Sequence, residues 1–365
     1  MMTNLRIPGP TPCPDVVLKE MGRQMINHRG PEFKKVLFGV TDKLKQVFKT
    51  KNDVFILTGS GTGGLEAAVV NSLSPGDKVL SVSIGAFGDR FAAIAKEFGA
   101  DVIELKYEWG KAANADEIKE ALIKEPAIKA VLVTHNETST GVTNDLASIS
   151  SVVKKAGKLL IVDAISSLGS IELPIDEWQC DVVITGSQKG WMVPPGLAMV
   201  SISQQAWQAN AEATMPRFYW DFAKAKSYLE KGQTPWTPAV SVVFALDVAL
   251  DMIIKEGIEN IITNQARIAQ MTRDGVKALG LPLFADEKYA SNTVTSIAAP
   301  DGLDVIKMLK ILREEHDTVL GGGQQHLAGK IFRIGHLGWV SEEDINMVLK
   351  SLMIVLPQAG FEIGG

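Results

Sequence analysis

Four residue groups in this sequence have the types and surroundings to do chemistry: a lysine, an aspartate, a glycine-rich turn and an arginine. Lys189 ends the stretch Asp-Val-Val-Ile-Thr-Gly-Ser-Gln-Lys, residues 181–189, in which a short apolar run stops at Thr185 and a turn follows. A lysine at a strand's carboxyl end does covalent amine chemistry when its surroundings desolvate it and an electrophile is held opposite. Otherwise it is a solvated surface residue. Asp163 closes the run Leu-Leu-Ile-Val, residues 159–162, where an acid is costly unless paired. It either caps a turn there or faces a cation.

The other groups also follow apolar runs. Residues 58–66, Thr-Gly-Ser-Gly-Thr-Gly-Gly-Leu-Glu, leave one run and open a helical pattern. Backbone N–H groups at such a turn, backed by a helix dipole, bind phosphate, and Ser60 and Thr62 add hydroxyls. No Gly-Lys-Ser/Thr follows, so this is not a nucleotide P-loop. Residues 135–141, His-Asn-Glu-Thr-Ser-Thr-Gly, either reach a cofactor oxygen or close their own turn by local hydrogen bonds. Arg333 lies inside the apolar run 331–334, where its planar fork suits a carboxylate or a structural ion pair. Residues 321–325, Gly-Gly-Gly-Gln-Gln, read as a flexible loop able to close over a substrate.

Taken together these supply a phosphate cradle, an acid for a ring nitrogen and an amine for an aldehyde. Those are the three handles of pyridoxal 5'-phosphate. A carboxylate opposite a pyridine nitrogen keeps the ring cationic, which sharpens it as an electron sink.

The elements that must position these groups follow an alternating pattern. Strand-like runs at 54–57, 79–82, 102–105, 130–134, 159–162, 182–185 and 198–202 are separated by helical patterns at 65–73, 87–98, 115–124 and 145–156. Near-continuous Val/Ile/Leu strands interleaved with helices predict an α/β fold, its mostly parallel sheet covered by helices on both faces. Before it come helical patterns at 15–26, with Asp15 as a cap, and 32–49. The proline-rich stretch 7–14 reads as an extended arm. After it, long amphipathic patterns at 238–255 and 258–279 lead into a smaller α+β unit. That unit has strands at 293–298 and 331–334, a helix at 303–315 and a last helix capped by Ser-Glu-Glu-Asp at 341–344. The expected division is an arm at 1–20, a large cofactor-binding domain at 21–255 and a small carboxyl-terminal domain at 256–365.

Composition narrows the classes. A chain of 365 residues with 46% hydrophobic and 22% charged residues is ordinary for a globular protein. The net charge of −5 gives no basic footprint, so nucleic acid is not expected as a partner. Cys13 and Cys180 form no metal-ligand spacing and suit a reducing compartment. No apolar run approaches the roughly 20 residues of a membrane helix, and no signal peptide is visible. These features predict a cytoplasmic protein with no membrane partner.

The chain resembles the class V, fold-type I pyridoxal-phosphate aminotransferases, in the alanine–glyoxylate and serine–pyruvate branch. The motifs that carry the likeness are Gly-Ser-Gly-Thr with Leu-Glu-Ala, His-Asn-Glu-Thr-Ser-Thr-Gly-Val, Val-Asp-Ala, Gly-Ser-Gln-Lys and Arg-Ile-Gly. The resemblance implies a seven-stranded sheet and a homodimer. It implies that Lys189 forms the cofactor aldimine and shuttles the proton, and that Asp163 partners the pyridine nitrogen. Ile165 matches the apolar side chain beside the ring, and Thr138 a hydroxyl near the ring's phenolic oxygen. Ser60, Gly61, Thr62 and Gln188 match the phosphate site. Arg333 matches the grip on the substrate's α-carboxylate, and Thr237 a hydroxyl reaching the phosphate of the other subunit. Two positions depart from some relatives: Phe87 stands where a ring-stacking tryptophan occurs, and Thr234 where a tyrosine contacts the phosphate.

The implied reaction is ping-pong transfer of an amino group from alanine or serine to glyoxylate or pyruvate. His28, Arg29 or Arg90 could bind a second carboxylate, which keeps aspartate open as a donor. A cysteine desulfurase or related lyase shares the fold and the lysine but needs a reactive cysteine on a carboxyl-terminal loop, and none is there. A non-catalytic accessory subunit is the rival from another class; intact Lys189, Asp163 and Arg333 argue against it.

Overall fold

The computed structural model describes residues 3–363; the terminal residues of the expected arm and small domain, Met1, Met2, Gly364 and Gly365, lie outside the described residues. The chain opens with β1 (Asn4–Arg6), α1 (Asp15–Met21) and α2 (Pro31–Val47). The alternating region follows: β2 (Asp53–Thr58), α3 (Gly61–Ser72), β3 (Lys78–Ser83), α4 (Ala86–Glu97), β4 (Asp101–Lys106), α5 (Ala115–Lys124) and β5 (Ala130–Thr134). A short hairpin of β6 (Asn136–Glu137) and β7 (Val142–Thr143) leads to α6 (Leu146–Lys155), β8 (Leu159–Asp163), β9 (Val182–Gly186) and β10 (Leu197–Ile202).

These strands form one seven-stranded sheet in the order β2-β10-β9-β8-β5-β3-β4. All neighbours run parallel except β10, which is antiparallel to both β2 and β9. Every residue of β5, β8, β9 and β10 is buried. That explains their unbroken apolar runs: helices cover both faces, so no alternation is needed. One apolar core lies on each face. The register matters for function. Thr134 pairs with Asp163 and Asp163 with Ile184, so the carboxyl ends of β5, β8 and β9 lie side by side at one edge. Ligand sites of open α/β sheets form at that edge.

The rest of the chain is α7 (Gln204–Glu212), α8 (Phe222–Leu229), the long pair α9 (Val240–Glu256) and α10 (Ile258–Ala278), then β11 (Val294–Ala298), α11 (Val305–Glu315), β12 (Thr318–Gly322), β13 (Ile331–Gly335) and α12 (Glu342–Gln358). A four-stranded sheet in the order β1-β12-β13-β11 carries a third core. Ser341 and Asp344 form the expected reciprocal cap of α12. The cap expected at Asp15 is not made: Pro14 occupies the cap position and Asp15 lies in the first turn, where it meets the helix dipole instead.

Two further expectations are corrected. The amino end is not only an arm: residues 4–6 pair in parallel with β12, and Arg6 is buried beside Asp344. The triple glycine is not a free loop either. Gly321 and Gly322 are the end of β12, paired with Arg333 and Phe332. Strand pairing satisfies the backbone groups that an open loop would leave to water.

The crossing of the amino-terminal segment over β13 depends on Gly335. A Cβ there would stand 2.3 Å from the Ile7 carbonyl oxygen, a backbone atom with little room to yield. Gly335→Ala is expected to destabilise the protein by about 1–3 kcal/mol through overpacking. Urea unfolding reads this; an unchanged midpoint would show that the segment does not pack as described.

Candidate active site

Asp163 is the last residue of β8 and is 3% exposed. Its carboxylate accepts the Ile165 N–H at 3.0 Å. Burial pushes its pKa up to about 7; the Ile165 N–H and the positive charges of Lys189 and Arg90 pull against that shift, and Glu137 adds to it. A polar network extends sideways from this strand end. Thr138 donates its hydroxyl to Ser166 Oγ at 2.8 Å, and Ser166 donates to the Asn136 carbonyl at 3.0 Å. His135 lies beneath, with Nδ1 3.0 Å from Ser167 Oγ and its ring edge-on to Trp178. Burial pushes the His135 pKa down to about 4.

Lys189 follows β9 by three residues and is 8% exposed. Burial lowers its pKa to about 8; Asp163 opposes the shift, while Arg333 and Arg90 add to it. Its Nζ donates to the Pro8 carbonyl at 2.6 Å. The amino-terminal strap is fastened to the same loop, with the Thr11 hydroxyl donating to the Lys189 carbonyl at 3.0 Å and its N–H to the Gln188 carbonyl at 3.1 Å. The strap can lie this close because residue 9 is glycine. It has φ of +136°, and a Cβ would stand 2.7 Å from the lysine Nζ.

Arg333 reaches the same edge from β13. Its Nε and Nη2 donate to the Gly322 carbonyl at 2.9 and 2.7 Å, and Nη1 donates to the Thr138 carbonyl at 3.0 Å. Among the described residues it makes no ion pair, although it is 6% exposed. Burial lowers its pKa to about 10. A buried guanidinium held by carbonyl oxygens alone keeps its full charge for an incoming anion.

At the other side of the edge, α3 starts at Gly61 with Ser60 as its cap residue, and no side chain caps its first turn. The uncapped N–H groups of that first turn, with Ser60 and Thr62 in the same stretch, make an anion-accepting turn. A Cβ on Gly61 would meet Ile165 Cδ1 at 2.5 Å, so Ile165 forms the inner wall of this turn. Trp220 forms its outer wall, with ring atoms 2.7 and 2.8 Å from where Cβ atoms of Gly59 and Gly63 would stand. The Gln188 side-chain oxygen is buried without a partner. Phe87 is half-buried in the first turn of α4, with the exposed Arg90 guanidinium 4.7 Å above its ring.

Most residues singled out in the sequence therefore converge on one edge: Lys189, Asp163, Arg333, Thr138, Ile165 and Gln188, with Phe87 and the turn at 60–62 around them. Thr234 and Thr237 stand apart from Lys189. Thr234 donates to the Trp236 carbonyl at 2.7 Å, and Thr237 is exposed two residues before Ala239, whose N–H bonds Thr58. Of the three basic candidates for a second carboxylate, Arg90 lies near enough for its charge to act on Asp163 and Lys189, while Arg29 is occupied by Gln233 and the carbonyls of Thr234 and Pro235. Sequence reasoning missed Glu137, the Pro8 carbonyl, Ser166 and Trp220. Glu137 lay within a noted motif and Ser166, which acts through its hydroxyl, three residues past Asp163; the Pro8 carbonyl and Trp220 act through backbone and packing that leave no local signal.

Residues 4–341 match the family described as Aminotransferase class-V. The chain belongs to that family and is a transaminase with the fold-type I architecture. It is 45% identical to the "Soluble hydrogenase, small subunit" of Synechococcus sp. (strain PCC 6716), over 98% of this chain and 94% of the relative. It is 38% identical to the L-aspartate–glyoxylate aminotransferase of Paracoccus denitrificans, over 98% of this chain and 92% of the relative. Among solved structures, the alanine–glyoxylate aminotransferase from Nostoc sp. superposes with a TM-score of 0.94 at 29% identity, covering 98% of this chain and 96% of that one. Among the described residues, no helix is long and apolar enough to cross a membrane.

The raised pKa of Asp163 carries a stability sign. The folded protein holds a proton there that the unfolded chain releases above about 4, so this contribution is full at acid pH and lost as pH rises through about 7. In cofactor-free protein, Asp163→Asn is expected to raise the melting temperature at pH 8, by up to about 4 kcal/mol of stability, with no gain at pH 4. A lower melting temperature at pH 8 would mean that the carboxylate is paired rather than stranded.

Proposed function

We propose that the protein is a pyridoxal-phosphate-dependent aminotransferase that moves an amino group from alanine or serine to glyoxylate or pyruvate. Arg333 carries the reading: it is buried, held only by backbone carbonyls, and stands beside a desolvated amine and a buried acid. An arginine so placed binds an α-carboxylate through its open face and puts the neighbouring Cα–H within reach of Lys189. The residues fit the cofactor. The turn at Ser60, Gly61 and Thr62, with the Gln188 side-chain NH2 as a donor, would hold the phosphate, and Phe87 and Ile165 would flank the ring. Asp163 would meet the ring nitrogen and Thr138 the phenolic oxygen. When bound, pyridoxal phosphate supplies an aldehyde for the amino group and an electron sink for the carbanion.

The chain's own residues do the rest. Lys189, lowered to about 8, is in part neutral near neutral pH; its amine would take the substrate's α-proton as a general base and then, as the ammonium, donate a proton as a general acid. Asp163 gains its negative charge back when a cationic ring nitrogen lies against it. Arg333 releases its carboxylate when the first product leaves and binds that of the second substrate. Both half-reactions therefore use one site.

The family resemblance supports a homodimer, in which the exposed Thr237 and the segment around Thr234 would reach a phosphate turn in the partner subunit. We place the protein in the cytoplasm, consistent with Cys13 and Cys180, which are unpaired thiols. A desulfurase would need a reactive thiol, yet Cys180 is buried with its pKa pushed up to about 12. A second reading of the donor rests on Arg90. It makes no ion pair among the described residues and its charge reaches both Asp163 and Lys189, so a dicarboxylate such as aspartate has a cation to meet.

The test is a panel of amino donors against glyoxylate and pyruvate. Turnover is expected with alanine or serine, and Lys189→Ala should lower it by at least about 100-fold, the low end for loss of a general base. Turnover only with aspartate would favour the Arg90 reading. Wild-type activity in Lys189→Ala, or none with any donor, would refute a transaminase site at this lysine.

A further inference from the structure

Helix α4 carries Phe87 but has no cap of its own: its cap residue is Gly85, and no local side chain bonds its first turn. The cap arrives from another element. The Ala86 N–H donates to Ser139 Oγ at 3.0 Å, and the Phe87 and Gly88 N–H groups both donate to Glu137 Oε2 at 3.1 Å. Ser139 in turn donates its N–H and its hydroxyl to Glu137 Oε1, at 3.1 and 2.5 Å. The fit is tight: a Cβ on Gly85 would stand 2.5 Å from both Glu137 Cγ and Ser139 Oγ.

Glu137 is fully buried, and among the described residues no cation pairs with it. Its charge is balanced by N–H donors, the hydroxyl and the positive end of α4, with the Arg333 guanidinium near enough to act on it without pairing. A neutral serine or asparagine would cap a helix without that desolvation. What the carboxylate adds is a rigid two-oxygen bridge between α4 and the turn at 137–139. That turn is also the far support of the substrate arginine, because the Thr138 carbonyl accepts from Arg333 Nη1. Its third tie is the Thr138 hydroxyl on Ser166, three residues past Asp163.

We infer that Glu137 is a positioning residue of the reaction: it caps α4 from outside the helix and so fixes Phe87 against the cofactor ring in register with Arg333. The inference rests on the cofactor reading proposed above. It assigns Glu137 no contact with substrate or cofactor. Replacing one carboxylate oxygen by an NH2 group turns a donor toward an N–H, at α4 or at Ser139, and loosens that register.

The test compares wild type, Glu137→Gln and Ser139→Ala as purified protein loaded with pyridoxal phosphate. Glu137→Gln is expected to keep its far-ultraviolet dichroism but to show weakened visible dichroism of the bound cofactor. Its cofactor should leave about tenfold faster on dilution, as expected for one compromised charged hydrogen bond. Its KM for the amino donor should rise by more than kcat falls. Ser139→Ala should shift the same readouts less, and carries the test if Glu137→Gln does not fold. A lower melting temperature with wild-type visible dichroism and cofactor release, in whichever variant carries the test, would overturn the inference and leave Glu137 a structural cap. Wild-type protein that takes up no cofactor would overturn the inference together with the reading beneath it.

Discussion

Lys189 and Asp163 carry opposite charges that the fold takes out of water at the ends of neighbouring strands, and the rest of the structure answers to that constraint. Burial drives both toward neutrality, and with their neighbours' charges included the amine falls to about 8 and the acid rises to about 7. Each one's charge opposes the other's shift. An amine and an acid whose pKa values approach each other from opposite sides suit proton transfer near neutral pH. The parallel sheet makes this arrangement possible. It delivers β5, β8 and β9 in register to one edge, so residues far apart in sequence meet there without a long loop.

The second constraint is that the substrate arginine belongs to the other sheet. β13 must be held at a fixed offset from β9, and one segment does much of this. Residues 4–6 extend the small sheet through β12, the Pro8 carbonyl meets the Lys189 amine, and Thr11 is bonded to the loop carrying that lysine. The amino-terminal strap thus touches the strand that presents the arginine and the loop that presents the amine. The turn at 137–139 gives a second tie from the large sheet to Arg333 through the Thr138 carbonyl.

Much of this was legible in the sequence, for physical reasons. Strands buried on both faces need continuous apolar runs, and β5, β8, β9 and β10 were readable as such, while the edge strand β4, with no buried residue, showed only a short apolar run. The reactive groups sit just past those runs, where side chains first escape the core, so their order along the chain exposed the site. The box at Ser341 is local and was equally plain. What escaped was non-local. A three-residue strand such as β1 has no pattern of its own, and β12 ends in glycines that look like a loop until their partners on β13 are known. The short helices α7 and α8 lie on a polar stretch where tertiary packing decides. Glu137 caps a helix some fifty residues before it in the chain, which no local spacing announces.

The central claim is that Lys189 is the amine that holds the cofactor's aldehyde carbon. It is tested most directly by incubating the protein with pyridoxal phosphate, reducing with borohydride to fix any imine, and mapping the modified peptide by mass spectrometry. The account predicts a single modification, on Lys189 in the peptide that follows β9. A modification at another lysine, or none at a cofactor concentration that supports turnover, would contradict it.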